Sequence, residues 1–288
     1  MFKNKLNLSI ILISFFLSLL YSEYNLKNFD KIIYLENGAV SHQMIKSDPY
    51  RYLNDGYGVA KELREGTPFL KTGPENYTKY LPAKIAAIYY YLFNYQLFEN
   101  EEKKIIKSGI HNFYLYIQCF FYFISVFFFS YILRKKINNN LVVNSVIVFL
   151  CIEPTIFQYH GSFWSESYFF SFQLLLLTFI LRSESWINLF FVGIFLGILS
   201  LQKQLAFFYV IPIILYYLYY LNNYKIKKIF SFLLGFFLVL CILGFNNLGR
   251  TGKFHILPGD TRLDLHLDLV EKVMMKKNKI SRQQFRIN

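Results

Sequence analysis

Seven apolar blocks, at residues 6–22, 112–133, 141–159, 163–181, 186–201, 205–221 and 229–245, constrain this chain more than any other feature. Their lengths approach the roughly 17–25 residues that carry a helix across a bilayer. A chain of 288 residues, 55% hydrophobic and 20% aromatic in such blocks, predicts an all-α integral membrane protein rather than a soluble core. The net charge of +13 does not point to nucleic acid. Much of it lies in short loops between the blocks, where topology accounts for it. Cys119, Cys151 and Cys241 each fall inside a block, in no metal spacing, and read as small buried apolar residues.

The domains follow from the blocks. Residues 1–22 are an N-terminal anchor, because Lys3 and Lys5 precede the block and no small-residue cleavage site follows it. Residues 23–111 form a long loop, 112–246 a six-helix bundle and 247–288 a C-terminal segment. Within the loop, 81–98 (LPAKIAAIYYYLFNYQLF) is apolar enough to tempt a spanning assignment. Charge argues against it. If that stretch lies in the interface, the short loops of one side carry Arg134, Lys135, Lys136, Arg182, Lys225, Lys227 and Lys228, and those of the other only Lys203. This asymmetry places the N-terminus in the cytoplasm and the long loop and C-terminus on the exported face. A spanning 81–98 would invert every later loop. The expectation is therefore about seven spans in a bacterial inner (plasma) membrane, with interfacial helices on a large exported loop.

The most ordered polar stretch is 47–69, SDPYRYLNDGYGVAKELREGTPF. Tyr57, Ala60 and Leu63 share one face of a short amphipathic helix that Gly66 ends and Pro68 stops. Asp48 and Arg51 sit at its start. Elsewhere, Glu153 precedes Pro154, and His160 follows seven residues on, near the same face of one helix. Glu166 opens the next block in SFWSES, Lys203 sits in LQKQL, and Arg250 follows the last block. The topology puts all of these on the exported side, and acids in or beside a membrane span are functional candidates by default. Each also has a structural reading. Asp-Pro opens turns, Glu166 suits a helix N-terminus, Glu153 and His160 can fix helix packing, and Lys203 and Arg250 can reach headgroups. Asp30 and Asp55 rival Asp48. After the last block, 262–269 (RLDLHLDL) alternates as a strand, with Asp264, His266 and Asp268 on one face: a solvated face or a cation chelate.

Carboxylates, a histidine and several cations under an aromatic interface suit group transfer from an anionic, lipid-linked donor. The residues also carry a resemblance. The 47–69 stretch with the Pro-led helix at 81–98 resembles the first exported loop of the C-type membrane glycosyltransferases, among them the protein O-mannosyltransferases and aminoarabinose transferases. SFWSES before an apolar span, GIFLGILSLQKQ, and RTGKFHILPGDTRLDLH after the last span are similar to that group in the same order. The resemblance implies a polyprenyl-phosphate sugar as donor, a hydroxyl of a lipid, glycan or protein as acceptor, and membrane lipid as surroundings. It makes Asp48 the catalytic base, or the neighbour of a divalent cation, the one candidate cofactor. Arg51, Glu153, His160, Glu166, Lys203 and Arg250 become substrate-binding candidates. Two features depart from the group. Its members run longer, so this chain is expected to be their seven-span module or a fragment. Pro49 stands where a second acid often follows, and Asp55 comes seven residues after Asp48. The rival expectation is a transporter or lipid-handling protein without covalent chemistry, or an inactive fragment of the enzyme family.

Overall fold

A computed structural model describes residues 5–27, 48–73, 80–92, 110–182, 184–221, 224–254 and 256. Among them the chain is all-helical, with no strand. The helices are α1 (Lys5–Lys27), α2 (Asp48–Arg64), α3 (Tyr80–Leu92), α4 (Ile110–Lys136), α5 (Asn140–Ile152), α6 (Pro154–His160), α7 (Glu166–Arg182), α8 (Trp186–Gln202), α9 (Val210–Tyr220) and α10 (Lys225–Thr251). Short 3₁₀ segments cover Phe69–Lys71 and Gln204–Tyr209. Each apolar block of the sequence is mainly helical, with 141–159 divided between α5 and α6 and 205–221 between a 3₁₀ segment and α9. The expected strand at 262–269 and the rest of the C-terminal tail fall outside the described residues, as does Asp30.

By length and composition the helices support part of the expected seven spans. Among the described residues, three helices are long and apolar enough to cross a membrane, and a fourth joins them if α5 and α6 count as one bent span. The shortfall is one of length. α7 and α8 have 17 residues each, a rise of about 25 Å against a hydrocarbon core of about 30 Å. α5 stops early because Pro154 lacks the N–H that would continue the ladder. Glu153 ends α5 and caps α6, and the axis bends by 43° between them.

Side-chain contacts set the helix directions. α1 is antiparallel to α4: Glu23 accepts from Tyr116, while Phe15 meets Phe123. α4 and α7 are parallel, with Phe121 against Phe172 and their C-terminal turns side by side. α7 and α8 are antiparallel, joined by Gln202 to Ser165 at one end and Asn188 to Phe179 at the other. α8 and α10 are parallel and touch backbone to backbone. A Cβ on Gly193 would lie 2.0 Å from the Phe232 carbonyl oxygen, and one on Gly235 would lie 2.1 Å from that of Phe190. Gly197 meets Val239 one turn further along.

The ends of the bundle are therefore sorted. One gathers Arg134, Lys135, Lys136, Arg182, Lys225 and Lys228. The other holds the start of α7, the ends of α8 and α10, and a platform made by α2 and α3. The platform is held by small residues: Gly56 lies on Ala83, Ala86 and Ala87. Its apolar face, with Leu53, Val59 and Ala60, packs on Tyr114, Leu115, Phe163 and Tyr168. Tyr57 and Leu63 border that core, as the sequence pattern requires. α2 ends in a Schellman turn, in which the Gly66 and Thr67 amides donate to the Leu63 and Glu62 carbonyls. Gly66 has φ +87°, a conformation that disfavours side chains. α3, 13 residues starting at Tyr80 with Pro82 in its first turn, packs along α2.

Because nothing can yield at Gly193 without moving the α10 backbone, Gly193→Ala is expected to lower stability by about 1–3 kcal/mol. Gly58→Ala, where no atom lies within 4 Å, is expected to be neutral or slightly stabilising. Denaturant unfolding in detergent micelles compares the two.

Candidate functional site

The platform end carries two polar clusters. In the first, Lys203 follows α8 as its cap and Glu166 opens α7, so antiparallel packing brings their heads together. The ammonium lies 2.5 Å from the Glu166 carboxylate. The pair is half open, with side-chain exposures of 16% for Glu166 and 37% for Lys203. Lys203 also stands 5.6 Å from the Phe169 ring centroid. The position of Glu166 at a helix N-terminus favours its negative charge. Gln202 donates to the Ser165 carbonyl at 2.8 Å, which ties the end of α8 to the start of α7. The Ser165 hydroxyl lies 3.4 Å from both Glu166 and the Tyr52 hydroxyl. Tyr52 thereby docks the first turns of α2 on this pair. Asp48 opens α2 four residues before Tyr52, a spacing that places two residues on one helical face. The side chains of Asp48 and Arg51 lie outside the described set.

The second cluster holds the 69–73 segment against the end of α10. Asn246 donates to the Leu70 and Thr72 carbonyls, the latter at 2.8 Å. Lys84, only 2% exposed, donates to the Thr72 carbonyl and hydroxyl, both at 2.6 Å, and to the Phe69 carbonyl at 3.0 Å. The Arg250 guanidinium packs over Gly73, whose amide donates to Glu62 at 3.2 Å. Burial, and then Arg250, push the Lys84 amine down to about 7, while Glu62 acts the other way.

The remaining sequence candidates have structural partners. The expectation of Glu153 and His160 on one helix face is corrected, because the helix breaks between them. Glu153 accepts from the Ile156 amide at 2.9 Å and from the Thr155 hydroxyl at 2.6 Å, as the N-cap of α6. His160 is fully buried. Its Nδ1 lies 2.8 Å from the Ser167 hydroxyl, and its ring centroid 4.5 Å from that of Tyr122. Its carbonyl, with that of Ser162, accepts from Gln118 at 2.8 Å. Among the described side chains, Glu166 and Lys203 are thus the sequence candidates that the structure brings together. Arg250 belongs to the second cluster, and His160 stiffens the turn leading into α7.

Sequence reasoning passed over Lys84, Thr72, Ser165, Gln202 and Asn246. Lys84 had a legible signal, as the lone charge in an otherwise apolar helix. Thr72 and Ser165 had none, since they act through contacts distant in the chain. Among the described residues no three His, Cys, Asp or Glu side chains converge. Glu166 is already matched by Lys203, so the described residues do not supply a ligand set for a divalent cation. Compared with protein families, with curated proteins and with solved structures, the chain has no match.

Lys84 gives the fold a pH dependence. Its proton leaves near 7 in the folded chain and at 10.5 in the reference state, so between these values the unfolded chain binds more protons. Stability therefore rises with pH across that window and carries the full cost of the buried charge below it. Lys84→Met is expected to flatten this rise, read as the difference between parent and variant unfolding curves from pH 7 to 10.

Proposed function

We propose that the chain is a membrane glycosyltransferase that moves a sugar from a polyprenyl-phosphate carrier to a hydroxyl of a lipid, glycan or protein. The observation that carries this reading is the half-open Glu166–Lys203 pair at the bundle end where Tyr52 docks the first turns of α2. The resemblance of the 47–69 stretch, SFWSES and GIFLGILSLQKQ to C-type membrane glycosyltransferases adds the substrate class. Seven spans, with this end on the exported face, complete the proposal. The 3₁₀ segment before α9 supports the count by adding length: with 11 helical residues it rises about 28 Å.

In this reaction the acceptor hydroxyl oxygen attacks the anomeric carbon, and the bond from that carbon to the phosphate oxygen breaks. The phosphate leaves with the electron pair, and the hydroxyl proton passes to the Asp48 carboxylate. Attack opposite the leaving group inverts the anomeric centre. Lys203, oriented by Glu166 and Phe169, balances the charge growing on the phosphate. Arg250 is a further cation at this end, and its contact with Gly73 ties it to the platform. Glu153 and His160 serve the fold rather than the chemistry.

A transporter is the second reading, favoured by the α5–α6 break, since discontinuous helices line many transport sites. Against it, the acid at the break is engaged as a helix cap. Membranes holding the parent chain are expected to transfer sugar from a synthetic polyprenyl-phosphate donor. Asp48→Asn and Lys203→Met should each lower that transfer by about a hundred-fold or more. Lys61→Gln, on the exposed side of α2, should leave it unchanged. Undiminished transfer by Asp48→Asn removes the base. Solute flux across proteoliposomes with no glycosidic product replaces the enzyme with the transporter.

A further inference from the structure

At the opposite end of the bundle a groove of about 760 Å³ runs between the last turns of α4 and α7. The two helices close on each other at Phe121 and Phe172, whose ring centroids are 5.1 Å apart. Toward their C-termini they leave a trough walled by Phe127, Phe128, Leu175 and Phe179. Thr178 also lines it, but its hydroxyl is satisfied by the Leu174 carbonyl at 2.7 Å. The depth of the trough is therefore apolar. At its rim stand Lys135 and Arg182, one from the final turn of each helix. Each leans over a ring of its own helix, Lys135 at 4.3 Å from the Tyr131 centroid and Arg182 at 5.9 Å from that of Phe179.

Three other basic residues of this end have partners, while Lys136 and Lys227 are unpaired among the described residues but do not line the groove. Arg134 donates to Asn144, Lys225 to the Leu218 carbonyl, and Lys228 pairs with Glu184. Among the described residues, neither Lys135 nor Arg182 forms an ion pair or a hydrogen bond. Two exposed cations that pair with no described anion, above an apolar trough bordered by the exposed rings of Phe128 and Tyr131, match one chemistry: a phosphate joined to an acyl chain. A soluble anion would use the cations and leave the trough wet. A neutral lipid would fill the trough and leave the cations unmatched.

We propose that the α4–α7 groove is a binding site for one anionic phospholipid, with its phosphate between Lys135 and Arg182 and an acyl chain along Phe127, Phe128 and Phe179. The site rests on the membrane placement of the chain and not on the transferase reading.

The test is native mass spectrometry of the full chain, extracted in detergent and offered phosphatidylglycerol or phosphatidylcholine of the same chain length. The parent is expected to retain one phosphatidylglycerol in preference to phosphatidylcholine. Removing both charges in K135Q/R182Q should weaken retention about thirty-fold, since each basic residue near an anionic surface contributes about five- to six-fold and the two factors multiply. Leu175→Trp keeps both charges and fills the trough, and should abolish the one-to-one complex. Lys225→Gln, a basic change at the same end but off the groove, should leave it intact. Equal retention of the two lipids overturns the site. So does parent-like retention by K135Q/R182Q. Parent-like retention by Leu175→Trp also overturns it, by reducing the effect to surface charge. Release of the parent chain from membranes by carbonate would defeat the membrane placement separately.

Discussion

The close parallel contact of α8 with α10 is the constraint on which the rest of the structure depends. In lipid, apolar side chains gain little by leaving one hydrocarbon surface for another, so association relies on how near two backbones can come. Gly193, Gly197 and Gly235 allow that approach. The consequence is directional. Because the two helices run the same way, both C-terminal ends arrive at one end of the bundle. Lys203 leaves α8 there, and Asn246 and Arg250 stand on α10 there. The platform of α2 and α3 then has two fixed supports: Ser165 beside Glu166, and the Asn246 amide that anchors the 69–73 segment.

The break at Glu153–Pro154 does related work on the other side. A continuous helix from Asn140 to His160 would carry its last turn straight on. The missing amide at Pro154 and the carboxylate cap let α6 bend instead, and His160 is buried against Tyr122 and Ser167. The carbonyls that follow are gathered by a single side chain, Gln118 of α4. That turn leads directly into Ser165 and Glu166. The half-open ion pair is thus held by α8 from one side and by the buried turn from the other, and neither charge needs a flexible loop to meet its partner.

The two ends of the bundle present different electrostatics. At the platform end, Lys203 is matched by a carboxylate and Lys84 by three oxygens. Such groups are pre-oriented, as the proposed transfer from a phosphate-linked donor requires. At the other end the excess is of one sign, and Lys135 and Arg182 stand over an apolar trough. Open cations above hydrocarbon suit permanent anions at a membrane surface rather than chemistry.

Much of this was legible in the chain alone. The apolar blocks located every helix of the bundle, because the need to satisfy backbone hydrogen bonds away from water leaves a long apolar segment few other forms. Gly66 and Pro68 placed the end of α2, because a left-handed residue and a missing amide act locally. The clustering of basic residues at one end was likewise readable from loop positions. The pairing of Glu166 with Lys203 was only suggested, since topology puts both at one end but does not choose partners. What tertiary structure alone decided was which polar groups serve the fold. Glu153 became a cap, His160 a buried brace and Lys84 a clamp on Thr72, since each outcome depends on a bend or a neighbour that sequence spacing does not encode. Local rules set the elements; contacts between distant segments, made possible where glycine or alanine lets helices touch, assigned the charges their roles.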